Sequence, residues 1–321
     1  MENVDNIKLK KRKKFKAKLK RNLLAYAILI PSLVLFAFFV WVPLFQNILV
    51  SFFTDFDYAE FVGFQNYQDI FGDTLFITAL KNTFVYIFWS LIIGFFLPMI
   101  LGFLLSECFH AKGIFRTIIY IPCMISGIAV VFLFQNIYGD ETYSILNVII
   151  EAFGGEPHLW ASDPNLVIPL IVIAMTWKGM GGTSLIYLSN FQNIDRNLYE
   201  ASRIDGASPL KRFIKITMPQ MKSTILTLLI LQIISVFQVF YEPLVIGNKG
   251  DSSISLMLLS YMYAFEDFEY AKAAATSVIL ALIIITFTII YFVAIKRFEK
   301  KEKGGVKREK VHRCKTKKAK N

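Results

Sequence analysis

NFQNIDRNLYEASRIDGASPLKRFIKITMPQMK, residues 190–222, is the polar stretch that decides how the rest of the chain is read. A plain connection between two helices needs only a few residues, and this one carries punctuation for two helices of its own. Asp195 is placed to cap a helix over Arg196 to Ile204. Gly206 follows where a helix needs a left-handed terminating residue. Ser208-Pro209 is a second start, a cap followed by proline at the first helical position. That second helix is expected to end at Pro219. Leu198, Ala201, Ile204 and Ala207 recur near a helical period, as do Phe213, Ile216 and Met218. An apolar stripe beside water must be covered, either by the protein's own helix ends or by a partner.

On both sides of this loop the chain turns apolar. Six runs, approximately 23–50, 83–105, 114–135, 166–188, 223–246 and 273–295, approach or exceed the roughly 20 residues that cross a bilayer as a helix. They lack the alternation of a membrane barrel, and backbone amides in lipid need intrachain partners. The expected fold is therefore an all-α membrane protein of about six transmembrane helices. Pro31, Pro43, Pro98 and Pro169 fall in or near these runs and are expected to mark kinks. The first run, about 28 residues, is too long for a signal-peptide core of about 7–15 and is read as a retained helix. Overall, 55% of the residues are hydrophobic, mean hydropathy is +0.51, and only 18% are charged, which does not fit a soluble domain.

The cationic residues give an orientation. Of 35 Lys and Arg, all but Lys81, Lys178, Lys249 and Lys272 lie in the N-terminal tail 1–22, the stretches 106–116 and 189–222, or the tail from Lys296. The positive-inside rule places these segments, and both termini, in the cytoplasm. The formal charge of +11 is read as basic tails facing anionic lipid, with no nucleic-acid partner. Residues 299–321, with Gly304, Gly305 and a lysine-rich run, are expected to be disordered.

Catalytic signals are missing. Cys108, Cys123 and Cys314 have neither metal-like nor redox-like spacing, and His110, His158 and His312 are far apart. No phosphate-binding glycine loop appears. No catalytic residue, metal site or bound cofactor is expected. Polar groups inside the spans are the default functional candidates. These are Thr176, Trp177, Lys178, Gly179, Gly181 and Gly182 in the fourth, and Gln232, Ser235, Gln238, Tyr241 and Glu242 in the fifth. Gln232, Ser235, Gln238 and Glu242 are spaced to share one helix face.

The run Glu200-Ala201-Ser202, Asp205-Gly206-Ala207, Ile216 and Pro219 resembles the EAA loop of ABC importer permeases. FVGFQNY at 61–67, FRTIIYIP at 115–122, TWKGMGG at 176–182 and YAKAAATSVIL at 270–280 are similar to the sugar-type branch. That branch holds the larger permease subunits of maltose, glycerol-phosphate and multiple-sugar importers. The resemblance covers roughly residues 20 to 298. Ser202 replaces the usual second alanine and Met218 the usual leucine, and the large outer domain of one maltose-type member is missing.

The resemblance implies a type I ABC importer permease fold: a basic tail 1–22, a transmembrane domain 23–298 with its coupling loop at 195–219, and the tail 299–321. It also implies a multi-pass subunit of a bacterial plasma membrane. Its partners would be a second permease, two copies of an ABC ATPase holding the ATP and Mg, and an extracytoplasmic solute-binding protein. Glu200, Ala201, Asp205, Gly206 and Pro219 would serve ATPase coupling. Glu200 would bond at the ATPase surface and Ala201 would permit close approach. Lys178, Gly179, Gln232, Ser235, Gln238 and Tyr241 would line the substrate pathway for a sugar or related carbohydrate. The amide and tyrosine set of the maltose pocket is not reproduced. Gln232 or Gln238 could equally bond between the two permeases, Lys178 could snorkel or pair with Glu242, and Trp177 could simply pack. A stand-alone channel or secondary transporter is the alternative function, and it would have no use for the loop.

Overall fold

The computed structural model describes residues 23, 26–107, 111–247 and 250–318, with side chains as far as 296 except at 196 and 209. The tail 1–22, Cys108, His110 and Lys249 thus lie outside the described residues. The chain is helical. Helix α1 spans Tyr26–Val50, α2 Gln65–Gly72 and α3 Thr74–Glu107. Lys112–Met124 is α4, Gly127–Tyr138 α5, Ile145–Ala152 α6 and Val167–Gln192 α7. In the loop, Arg196–Ile204 is α8 and 209–220 is α9. Lys222–Phe237 is α10, Tyr241–Val245 α11, Leu256–Phe265 α12 and Tyr270–Lys318 α13.

Among the described residues, four helices are long and apolar enough to cross a membrane: α1, α3, the α10–α11 run Lys222–Val245, and Tyr270–Lys296 of α13. The third predicted span, 114–135, is not straight. It divides into α4 and α5, bent by 97°, and counting the pair as one span gives five. Pro122 lacks the amide that would continue α4, and Ser126 starts a new helix by accepting a bond from the Ala129 amide at 3.3 Å. The predicted span 166–188 corresponds to α7. Its 26 residues reach about 39 Å, ample for a core of about 30 Å. Lys178 and the glycines 179, 181 and 182 dilute its apolar character, so it stands apart from the strongly apolar helices.

Widened π turns at Ala37–Trp41 and Ser90–Gly94 precede Pro43 and Pro98 in α1 and α3. The fifth span is interrupted at Gln238–Phe240, which places Glu242 on the separate short helix α11, off the continuous face expected for it. Helix α13 runs on through Gly304 and Gly305 to Lys318, where composition predicts a disordered tail. The Lys, Glu and Arg residues there are good helix formers.

Helix α3 packs most extensively on α7, α12 on α13, and α4 on α7. Small residues permit this closeness, since lipid removes the hydrophobic drive between helices. A Cβ on Gly102 would come 2.8 Å from Tyr187 Cβ and 2.9 Å from the Ser184 carbonyl. One core joins Phe76, Tyr86, Ile171, Phe237 and Leu256. A second, of Met99, Tyr187, Phe191, Ile194 and Met221, lies beneath the 190–222 loop.

The loops are held by buried amides. In the FVGFQNY stretch, Asn66 donates to the Ser51 and Phe53 carbonyls at 3.0 and 2.8 Å, satisfying backbone just past the end of α1. Asn147 donates to the Glu141 and His158 carbonyls and accepts from the His158 amide and the Trp160 indole. That single side chain closes the loop between α5 and α7. Nearby, Asp163 accepts backbone and His158 bonds that hold its carboxyl below the usual range.

Candidate functional site: a coupling loop and a polar cavity

The 190–222 loop builds its two helices as its punctuation implies. The Asp195 carboxylate accepts from the Asn197 amide at 3.0 Å and starts α8. Gly206 has φ +70°. Its amide donates to the Arg203 carbonyl at 3.0 Å, and the Ala207 amide to the Ser202 carbonyl at 2.9 Å. Those two bonds make a Schellman termination. The Ser208 hydroxyl then accepts from the Lys211 amide at 3.3 Å. Helix α9 ends at Gln220, one residue past the Pro219 at which it is expected to end. A π turn at Phe213–Thr217 widens the preceding turn, and Pro219 sits near the start of the next helical segment, where a missing amide matters least. A hydrogen bond between the Tyr199 and Thr217 hydroxyls ties the two helices together.

The apolar stripe divides between its two possible covers. Phe213, Ile216 and Met218 turn inward onto the Met99–Tyr187–Phe191 cluster. Ile204 is 87% exposed, and Leu198, Leu210 and Ile214 are exposed as well. Glu200, Ala201, Asp205, Gly206 and Pro219 are each exposed. The loop is thus anchored from within and presents apolar, acidic and basic groups to the surface, Arg203, Lys211 and Lys215 among them.

Inside the bundle, α3, α7 and α10 enclose a cavity of about 330 Å³. Gly179, Gln232 and Ser235 line it, together with Ser90, Gly94 and Thr176. The Gln232 amide nitrogen donates to the Ser90 hydroxyl at 2.6 Å. Gly94 lies against this pair: a Cβ there would come 2.9 Å from Gln232 Nε2 and 3.1 Å from both the Ser90 and Thr176 hydroxyl oxygens. Four polar or small residues from three helices therefore converge on one point.

The other candidates lie elsewhere. Tyr241 lines a separate cavity of about 600 Å³ beside Asn47, Phe56 and Tyr270. Gln238 donates to its own helix at the Ile234 carbonyl, 3.2 Å away. Lys178 holds α4 through its backbone: its carbonyl accepts from Cys123 Sγ at 3.0 Å, and that sulfur accepts from the Gly182 amide at 3.2 Å. No Lys178–Glu242 ion pair occurs among the described residues. Trp177 packs edge-on against Phe134. Sequence reasoning missed Ser90 and Gly94. Their spacing of four residues within an apolar span was the available signal.

Residues 94–304 match the family described as binding-protein-dependent transport system inner membrane component. The chain belongs to this family. It is 34% identical, over 72% of its length and 75% of the relative's, to the arabinooligosaccharides transport system permease protein AraP of Bacillus subtilis (strain 168). It is 30% identical, over 81% of its length and 91% of the relative's, to the lactose transport system permease protein LacF of Rhizobium radiobacter. The fold matches the crystal structure of a bacterial ABC transporter involved in the import of the acidic polysaccharide alginate, with TM-score 0.77 and 23% identity. That match covers 88% of this chain and 99% of the other. A multi-pass transport subunit with the type I permease fold accounts for both the helical bundle and the outward-facing loop.

Proposed function

We propose that this chain is one of two permease subunits of an ABC importer that carries a carbohydrate into the cytoplasm. A solute-binding protein outside delivers the solute, and two partner ATPase subunits hold the ATP and Mg and do the hydrolysis. The observation that carries this reading is the loop. Its α8 end exposes Ile204, Glu200 and Asp205, while Phe213 and Ile216 root it in the bundle. A surface of that kind suits a protein partner, and a rooted loop can pass the partner's movement to the helices as a rigid-body change. The names of the relatives support a carbohydrate as solute. A cavity lined by Ser90, Thr176, Gln232 and Ser235 suits a neutral polyhydroxylated molecule, which needs hydroxyl and amide partners rather than a counter-ion. The cationic bias of 1–22, 189–222 and the segment after Lys296 supports a cytoplasmic side for both termini.

Affinity purification of this chain from native membranes in mild detergent should yield a second permease and two ATPase copies, counted by native mass. A lone species that moves solute without ATP would instead indicate a channel or secondary transporter. Within the complex, Gln232→Ala removes the amide that holds Ser90 and faces the cavity. It should change which carbohydrates are imported, or the solute-stimulated ATPase rate, by several-fold. If neither quantity moves, the fifth span does not line the pathway.

A further inference from the structure

Arg212 lies in α9, and its side chain is only 7% exposed. Its Nη2 faces Glu107 Oε2 at 3.8 Å, and its Nε and Nη1 are buried with no hydrogen-bond partner among the described residues. Guanidinium does not lose its proton in proteins, so this is a buried charge whose carboxylate partner among the described residues stands at 3.8 Å. Such an arrangement is less stable than an apolar side chain of the same volume, and unsatisfied buried donors call for a reason. If packing were the only need, Met or Leu would serve here.

What Glu107 is attached to gives that reason. It is the last residue of α3, the helix that carries Ser90, Gly94 and Pro98 into the polar cavity. The residue after Arg212, Phe213, meets Phe103 with ring centroids 4.6 Å apart. Phe103 and Glu107 are four apart and share one face of α3. Two adjacent loop residues therefore grip one helix at two points a turn apart, one by an aromatic contact and one by charge. The rings fix position. The charge pair stands at 3.8 Å, and the two remaining guanidinium donors have no partner among the described residues.

We infer that Arg212, acting through Glu107, is the positioning residue that ties displacement of the coupling loop to α3, so that movement imposed by the ATPase reaches the cavity as a shift of the Ser90–Gly94 segment. This rests on the function proposed above. The physical basis is a pair of adjacent contacts, one of rings and one of charge, at the junction of the two elements.

The test uses the complete importer in proteoliposomes, with Cys108 and Cys314 replaced by serine, Cys123 kept, and Ile186→Cys, an exposed position that lines the cavity, as the reporter; labelling of the same chain without the reporter is subtracted. Maleimide labelling of that thiol is timed with and without ATP plus orthovanadate. With Arg212 and Glu107 intact, trapping should change the labelling rate at least fivefold. Arg212→Gln and Glu107→Gln should each reduce that change below twofold while ATP hydrolysis stays within twofold, and the double variant should be no worse than either single. Should the glutamine variants not assemble, Arg212→Lys keeps the charge and stem without the fork, and it should assemble, hydrolyse ATP and show a reduced labelling change. The proposal is overturned if any assembled variant keeps the full labelling change, if the losses multiply in the double, or if labelling change and hydrolysis fall together, as for a merely structural contact. It is overturned too if the reporter in the otherwise unaltered complex ignores trapping. A chain with Arg212 and Glu107 intact that binds no ATPase would overturn the importer reading instead.

Discussion

Gly206→Asp is expected to abolish uptake while leaving normal amounts of the protein in the membrane. A Cβ on Gly206 meets nothing within 4 Å in this chain, so the new side chain has room. The backbone at φ +70° is left-handed, which costs an L-residue about 1–2 kcal/mol, and aspartate is among the residues that tolerate it best. The Schellman bonds of Gly206 and Ala207 use backbone groups that the substitution leaves in place. Folding therefore survives. What changes is the exposed surface, where a second carboxylate appears beside Asp205 at the tip of α8. A partner cleft shaped for a bare backbone would meet both bulk and charge. Immunoblots of membranes should show the variant at the normal level, and purification should show weakened ATPase binding. Gly206→Ala, which adds the backbone strain without charge, should retain more uptake than the aspartate variant. Normal uptake by Gly206→Asp would remove the coupling role from this loop.

The second large effect is structural and separates two glycines that sit two residues apart. Gly181→Ala should markedly lower the thermal stability of the purified protein, whereas Gly179→Ala should leave it unchanged. A Cβ on Gly181 would lie 2.1 Å from the Ile119 carbonyl oxygen and 3.0 Å from Tyr120 Cα. Both are backbone, so α4 and α7 would have to move apart, and the Cys123 bridge to Lys178 and Gly182 would open with them. Overpacking of this kind costs about 1–3 kcal/mol, and a clash with rigid backbone belongs at the upper end. Gly179 faces the cavity, and nothing lies within 4 Å of its added methyl. That variant should fold normally and act on transport alone by narrowing the space near Gln232. Unfolding curves in detergent decide the matter, and equal curves for the two variants would refute the close α4–α7 approach.

Much of this was legible along the chain, where the information is local. Asp195, Gly206 and Ser208-Pro209 announce two short helices because capping and left-handed turns depend on a few neighbouring residues. Long apolar runs announce helices in lipid for the same kind of reason, since each backbone amide finds its partner four residues away. The misreadings occur where local rules leave a choice. Residues 114–135 read as one span, but Pro122 and the Ser126 cap turn the chain by 97°. Gln238 and Tyr241 are polar like Gln232, yet neither lines its cavity: a break follows α10 at 238–240, and Tyr241 lines another cavity.

By itself, then, the sequence determined that this is a helical membrane protein with a structured polar loop, and its local punctuation shaped that loop. The tertiary structure decided which side chains meet. Ser90 and Gly94 reach Gln232 from 142 and 138 positions away, and Arg212 reaches Glu107, because helices α3, α7, α9 and α10 are brought into contact. A helix sequence specifies its own faces. Which neighbour each face receives depends on small residues such as Gly102 and Gly181, whose close approaches set the helices' mutual position.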